Sequence, residues 1–232
     1  MRGDIGQYAK GLRASVRIFA NTAATTEILP ERLATWMAAH PQIDIELRER
    51  GSDQIARSVA AGFAEIGVLS SGVETGALVL RPFAVDRLVV VASRHHSLAS
   101  ERQVHFADVM GDRFVGLTSG ALQAHIEAQA SRLGARLKIR VRLRSFDGIC
   151  RMAGAGVGIG IVPEAAARRC QRSTQITTIR LRDPWATRQL SLCIRDVRDL
   201  TPAAEALFDH LATANRESGS VIPASPSFAG KA

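Results

Sequence analysis

The stretch from Ser15 to Leu47 constrains the fold more than any other, because it reads as strand, polar loop, helix and second strand in direct succession. Ser15 to Ala20 is β-prone and apolar on both faces near its end, as expected of a strand buried in a parallel sheet. Asn21 to Thr26 is rich in side chains that cap helices and reads as a polar loop. Leu29, Leu33, Trp36 and Met37 then share one face of a helix, which His40-Pro41 should stop, since the residue before a proline avoids helical angles. Ile43, Ile45 and Leu47 alternate with Asp44, Glu46 and Arg48, as in a half-buried strand. Such a β-α-β unit sets the small loop at the carboxyl end of the first strand and the amino end of the helix. Free backbone N–H groups there favour small anions.

A chain of 232 residues fits one large or two small domains and can bury a real core. No stretch approaches the roughly 18 uninterrupted apolar residues of a membrane span, so a soluble protein is expected. Met1 to Arg13 lacks the apolar core of a secretory signal, which places the expected location in the cytoplasm. Cys150, Cys170 and Cys193 are widely spaced, with no CxxC and no nearby His pair, and are expected to be buried thiols rather than a zinc site. Cys170, two residues from Arg168 and Arg172, is the one candidate for a reactive thiol. The net charge of +8 points to an acidic partner, nucleic acid or anionic ligand, or to solvated arginines with no partner at all.

After the opening unit, Ser52 is placed to cap a helix with Ile55 and Val59 inward and Gly62 at its end. Ala64 to Leu69 is a third strand, followed by the polar Ser70-Ser71-Gly72. Leu78 to Phe83 and Arg87 to Ala92 read as two further strands, the second central. A domain crossover is expected in the polar segment from Ser93 to Ala99. His95 and His96 within it are neighbours that point in different directions, without a third ligand, and read as solvated loop residues.

The second region repeats the arrangement: strand Arg113 to Leu117, hydroxyl loop Thr118-Ser119-Gly120, then a helix with Leu122, Ile126 and Leu133 inward and Gly134 closing it. Arg136 to Arg144 alternates basic and apolar residues throughout, a half-exposed strand whose outer charges suit edge protection or a subunit contact better than phosphates. Ser145 caps the next helix, with Asp147 in its first turn and Ile149, Met152 and Ala153 inward. Gly154, Gly156, Gly158 and Gly160 do not match G-x-G-x-x-G, and close helix-to-strand packing accounts for them better. Ile159 to Val162 is a short strand and Pro163 opens a helix to Arg169. Ile176 to Leu181 and Gln189 to Ile194 are late strands, Thr201-Pro202 opens a last helix carrying Leu207, Phe208 and Leu211, and from Asn215 the chain reads as a disordered tail.

Taken in order, several pieces resemble the effector-binding domain of LysR-type transcriptional regulators. They are Arg13 to Ile18, Ile28-Leu29-Pro30 with the helix ending at His40-Pro41, Ala64 to Val68, His95 to Ala99, and Ser145 through Pro163. The resemblance covers about Ala14 to Ala212. It implies an α/β protein of two Rossmann-like subdomains joined by two crossovers, the type 2 periplasmic-binding-protein fold. The expected division is a linker remnant at 1–14, a first subdomain at 15–91 plus 193–214, a second at 92–192, and a tail at 215–232.

Position by position, the resemblance implies effector contacts at Asn21 and Thr22 after the first strand, Ser70 after the third, Thr118 and Ser119 in the facing loop, and Phe146 on the pocket wall. Ser97 replaces the proline usual in the crossover segment. The family's N-terminal winged helix-turn-helix is not in this sequence, so DNA contact is expected only through that missing part. The implied partners are a small-molecule effector and a second copy in a homodimer, with tetramers in a full-length protein. No cofactor, metal or membrane is expected. No arginine or lysine lies in the implied ligand loops, so an anion would be held by neutral donors. Two other classes share the fold. A transporter's solute-binding protein should carry an export signal, and an enzyme would need a reactive group in the cleft, for which Asp147 is the nearest carboxylate.

Overall fold

The structure, a computed structural model, describes residues 14–217. The rest of the expected linker and tail lies outside these residues, although the final helix runs to Glu217, past the expected start of the tail at Asn215. Among the described residues, ten strands and six α-helices follow one another: β1 (Ala14–Ala20), α1 (Leu29–Ala39), β2 (Ile43–Glu49), α2 (Ser52–Ala60), β3 (Ile66–Ser70), β4 (Val79–Ser93), β5 (Gln103–Val104), β6 (Arg113–Leu117), α3 (Ala121–Arg132), β7 (Lys138–Leu143), α4 (Phe146–Gly154), β8 (Gly160–Pro163), α5 (Glu164–Gln171), β9 (Ile176–Leu181), β10 (Thr187–Ile194) and α6 (Pro202–Glu217). The main sheet runs β2-β1-β3-β10-β4-β9-β5, with β8 also on β4, and β6 and β7 form a parallel pair beside it.

The buried side chains form distinct cores. One gathers residues between Leu88 and Ala186, while the others draw on Val16 to Phe83 and Leu190 to Leu211. They define two lobes. β1 pairs in parallel with β2 and β3, so the carboxyl ends of all three open on the same edge. β6 and β7 do likewise in the second lobe.

Two expected strands are one. β4 runs unbroken through Ala84, Val85 and Asp86, which the two expected strands left out, and Pro82 is tolerated inside it because Phe83 sits in a bulge where the register against β10 slips. The partner change also comes earlier than the polar segment past Ala92. β4 pairs with β10 through Arg87 and with β8 and β9 from Leu88 onward. His96 is no idle loop residue; its side chain accepts from the Leu98 N–H at 3.3 Å and caps a short turn.

The expected loop from Asn21 to Thr26 is also helical. The helix begins at Thr22, widens into a π turn over Ala24–Ile28, and runs on as α1. Pro30 explains the widening, because its ring cannot donate and would collide with the carbonyl four residues earlier. Met37 is exposed, off the face formed by Leu29, Leu33 and Trp36, and Leu133 is exposed because it follows the last turn of α3. Ser52 does not cap α2, for Gly51 holds that position without a side-chain bond.

Of the four glycines, Gly158 and Gly160 pack as read, whereas Gly156 has no atom within 4 Å of a Cβ and instead takes a φ of +75° after α4. A Cβ on Gly158 would strike the Arg113 carbonyl, and one on Gly160 would enter the shell of Ile149 Cγ2 and come within 3.2 Å of Val91. At the junction of the lobes, Asp86 on β4 faces Arg188 on β10 in register, and Arg188 Nε donates to Asp86 Oδ2 at 2.9 Å. Both residues are buried, 7% and 9% exposed.

Gly160→Ala should therefore lower stability by about 1–3 kcal/mol through overpacking, read as an earlier urea midpoint at unchanged slope. Asp86→Ala, which strands a buried guanidinium, should cost about 3–5 kcal/mol. A paired Asp86→Leu and Arg188→Met variant should recover most of that loss in the same titration.

Candidate functional site

The three parallel strands of the first lobe end in a small polar cluster. Asn21 Nδ2 donates to Ser70 Oγ at 2.9 Å, and the Ser70 N–H donates to Ser52 Oγ at 3.0 Å. Asn21 is 2% exposed, and its Oδ1 accepts from the Ala24 N–H at 3.0 Å, which caps the helix that starts beside it. These bonds fix the floor of a cleft whose other wall is the second lobe.

Contacts cross the cleft at two places. Thr22 Oγ1 donates to Glu49 Oε1 at 2.7 Å and accepts from the Leu122 N–H at 3.2 Å. Glu49 Oε1 also accepts from the Ala121 N–H at 3.4 Å. The amino end of α3 has no side-chain cap of its own, so the opposite lobe supplies one. Gly120, at φ +108°, permits the approach, because a Cβ there would lie 2.7 Å from Glu49 Oε1. The second crossing is ionic. Arg169 on α5 donates to Glu27 Oε2 at 2.6 Å and to Asp147 Oδ1 at 3.1 Å. Glu27 is the first cause of the raised pKa of Arg169.

Between the crossings lies a chamber of about 770 Å³. Thr22, Thr118, Ser119 and Phe146 line it, together with Glu27, Glu49, Arg144 and Arg169. A second chamber of about 650 Å³ lies on the other side of Thr22, lined by Asn21, Ser52, Ser70, His125, Trp185 and Arg188 among others. The six implied contact residues thus all face one cleft, four on the first chamber and Asn21, Thr22 and Ser70 on the second, with Thr22 between.

The ionisable groups read differently from the sequence. Asp147 is held below the usual carboxylate range, first by the Cys170 thiol, which donates at 3.3 Å, and then by Arg169. A carboxylate so committed makes a poor general base. Cys170 is buried rather than exposed, and burial pushes its thiol up; Cys193 is pushed up to about 12 for the same reason. His125, whose ring is hydrogen-bonded to the Trp185 backbone, has its pKa lowered by burial and by Arg188 and Arg132. Its Nε2 has no partner among the described residues. No group of three metal-ligating side chains occurs among the described residues, and no helix there is long and apolar enough to cross a membrane.

Sequence reasoning missed the charges. An anion would not meet neutral donors alone, since Arg144 and Arg169 reach the first chamber from the end of β7 and from α5. Glu49 carried a usable signal: it falls on the same strand face as Ile45 and Leu47, an acid where the pattern calls for an apolar residue. Glu27 carried none, since it fell between the loop read over Asn21 to Thr26 and the helix read from Leu29. Once Thr22 onward is helical, Ala23 and Glu27 are one turn apart on a single face.

Comparison with known proteins agrees with this architecture. The LysR substrate binding domain model matches residues 9–216. The HTH-type transcriptional regulator YfeR of Shigella flexneri, itself uncharacterised, is 26% identical over 208 residues, 89% of this chain and 67% of its own length. CysL of Bacillus subtilis is 21% identical over 79% of this chain and 61% of its own. The chain therefore spans about two thirds or less of these relatives. Among solved structures, the BenM effector-binding domain with its effector benzoate superposes with a TM-score of 0.67 at 20% identity, covering 91% of this chain and 97% of that one. The effector-binding domain of QuiR in complex with shikimate gives 0.64 at 15% identity, covering 89% and 99%. Both share the mixed α/β, type 2 periplasmic-binding-protein-like fold. With its two lobes, its shared cleft and a family model matched over nearly its whole described length, the chain belongs to the LysR substrate binding domain family.

Proposed function

We propose that this ligand-sensing domain takes a small polar molecule bearing a carboxylate between its lobes, and that occupancy changes how far the cleft closes. The observation that carries the reading is the pair of polar crossings, Thr22 with Glu49 to α3 and Glu27 to Arg169, which bracket a ligand-sized chamber. A molecule seated there touches both lobes at once, and so interacts differently with open and closed arrangements. Benzoate and shikimate, held by BenM and QuiR, are carboxylates of the right scale.

Thr118, Ser119 and Phe146 would contact the ligand from the second lobe, Thr22 from the first, with Asn21 and Ser70 reached through the second chamber. In a longer regulator, a change of closure would alter the arrangement of homodimers or tetramers and of the DNA-binding segments they carry, in the cytoplasm. The reading is one of binding without turnover, since Asp147 is engaged by Arg169 and Cys170. Membership of a regulator family favours it over a transporter's solute-binding protein.

Thermal unfolding against carboxylic acids, aromatic acids, amino acids and phosphorylated sugars should single out one chemical class. A ligand at 100 times its Kd should add about 2.7 kcal/mol, roughly 5 to 10 °C for a domain of this size. The double variant Thr22→Ala and Thr118→Ala should weaken that ligand at least about tenfold, the loss of one to two good hydrogen bonds. Unchanged affinity in calorimetry would remove the ligand from this cleft.

A further inference from the structure

The charged groups of the first chamber are not equally available. Arg169 is shared by Glu27 and Asp147, and Glu27, its side chain only 5% exposed, has its oxygens turned to that guanidinium. Glu49 commits Oε1 to Thr22 and to the Ala121 N–H, whereas its Oε2 makes no hydrogen bond among the described residues. Arg144 lines the same chamber, is exposed, and has no hydrogen bond or ion pair among the described residues. One cation, Arg144, and two carboxylate oxygens, Glu49 Oε2 and Asp147 Oδ2, are therefore left without a hydrogen bond among the described residues, and of the two carboxylates only Asp147 is already paired with an arginine.

The sum of charges disfavours a simple anion. Three carboxylates, Glu27, Glu49 and Asp147, line the chamber against two guanidiniums, Arg144 and Arg169. A simple anion entering the chamber gains Arg144 but meets the unpaired edge of Glu49, and like charges a few ångströms apart repel. A simple cation has the converse difficulty at Arg144. A molecule with both groups satisfies both walls and leaves the chamber's charge unchanged. Leu117, Leu143 and Phe146 give it an apolar surface to lie against.

We propose that the chamber selects an amphoteric ligand, an α-amino acid or a close amino-carboxylate, with its carboxylate on Arg144 and its ammonium group on Glu49. The proposal rests on the reading of this cleft as the effector site and names the ligand class it takes. Glu49 is then the specificity-determining residue. It caps α3 with one oxygen and recognises the ammonium group with the other, so selectivity for the amine is tied to the contact that joins the lobes.

The test uses matched probes that differ only in charge: phenylalanine, 3-phenylpropionate and phenethylamine, with leucine, 4-methylpentanoate and 3-methylbutylamine as a second set. Calorimetry and thermal unfolding of the unmodified chain should show at least one amino acid bound at least ten times more tightly than either of its single-charge analogues. Arg144→Ala, which removes an exposed side chain and should fold normally, should weaken the amino acid at least tenfold and reduce its advantage over the amine. Glu49→Gln should reduce its advantage over the carboxylate, and a far-ultraviolet spectrum matching the parent's separates this from misfolding. Equal binding of the amino acid and its carboxylate analogue, or an advantage untouched by both substitutions, overturns the amphoteric assignment while leaving a carboxylate sensor in place. Binding by none of the six probes, with a different class shifting the unfolding temperature, also overturns it and leaves the cleft reading to its own double variant.

Discussion

Everything in this fold depends on one strand that belongs to both lobes. β4 pairs with β10 for its first half and with β8 and β9 for its second, so one of the connections between the lobes is continuous hydrogen-bonded strand rather than loop. Asp86 and Arg188 face each other on β4 and β10 close to where β4 changes partners. Two buried charges are costly to desolvate, and the attraction between them only offsets that cost when the geometry is good. Their pairing fixes the register of β10 on β4 at the one place where a slip would displace the lobes against each other. The bulge at Phe83 lies on the first-lobe side of the pair and lets Pro82 sit inside a strand it would otherwise break.

Given that junction, the cleft is closed by few and mostly polar contacts. The amino end of α3 is capped from the other lobe by Glu49 and Thr22, and Gly120 is needed because a side chain there would hold the lobes apart. The Glu27–Arg169 pair closes the other end. A hydrogen bond of this kind contributes about 1 kcal/mol net, and a partly exposed ion pair about as much or less. Closure is thus held by a small free energy while each lobe is held by a large apolar core, which separates the motion of the lobes from their folding.

Much of this was legible in the sequence, and the misses have physical reasons. Alternation and helical spacing found β2, α1, β7 and α4, because each buries one face, while short apolar runs marked β1 and β6, which are buried on both. The row of basic residues on β7 was read as an exposed edge, and Lys138, Arg140 and Arg142 do lie there, each donating to a backbone carbonyl. The segment after β1 was misread because residues that cap helices also make loops and because Pro30 argues against a helix before it, whereas the chain carries the helix past Pro30 through a π turn. The strand across the junction was split because the reading left out Ala84, Val85 and Asp86, and spacing does not show that the acidic Asp86 is held within the sheet by Arg188. Arg169 and Arg144 could not be placed at the chamber by spacing, since they reach it from elements far from the first strand in sequence.

The helix that starts at Thr22 also explains why hydroxyl and charge meet in one place. With a loop there, Thr22, Thr26 and Glu27 would have no fixed relation. As successive helical positions, Thr22 and Thr26 stack one turn apart, with Thr26 Oγ1 donating to the Thr22 carbonyl at 2.8 Å, and Glu27 follows on the side that faces Arg169. The π turn forced by Pro30 shifts the angular position of these residues relative to Leu29 and Leu33. One stretch of chain can then keep Leu29 and Leu33 on the core while Thr22 and Glu27 reach across the cleft. A regular helix through the same residues would have to give up one of those two alignments.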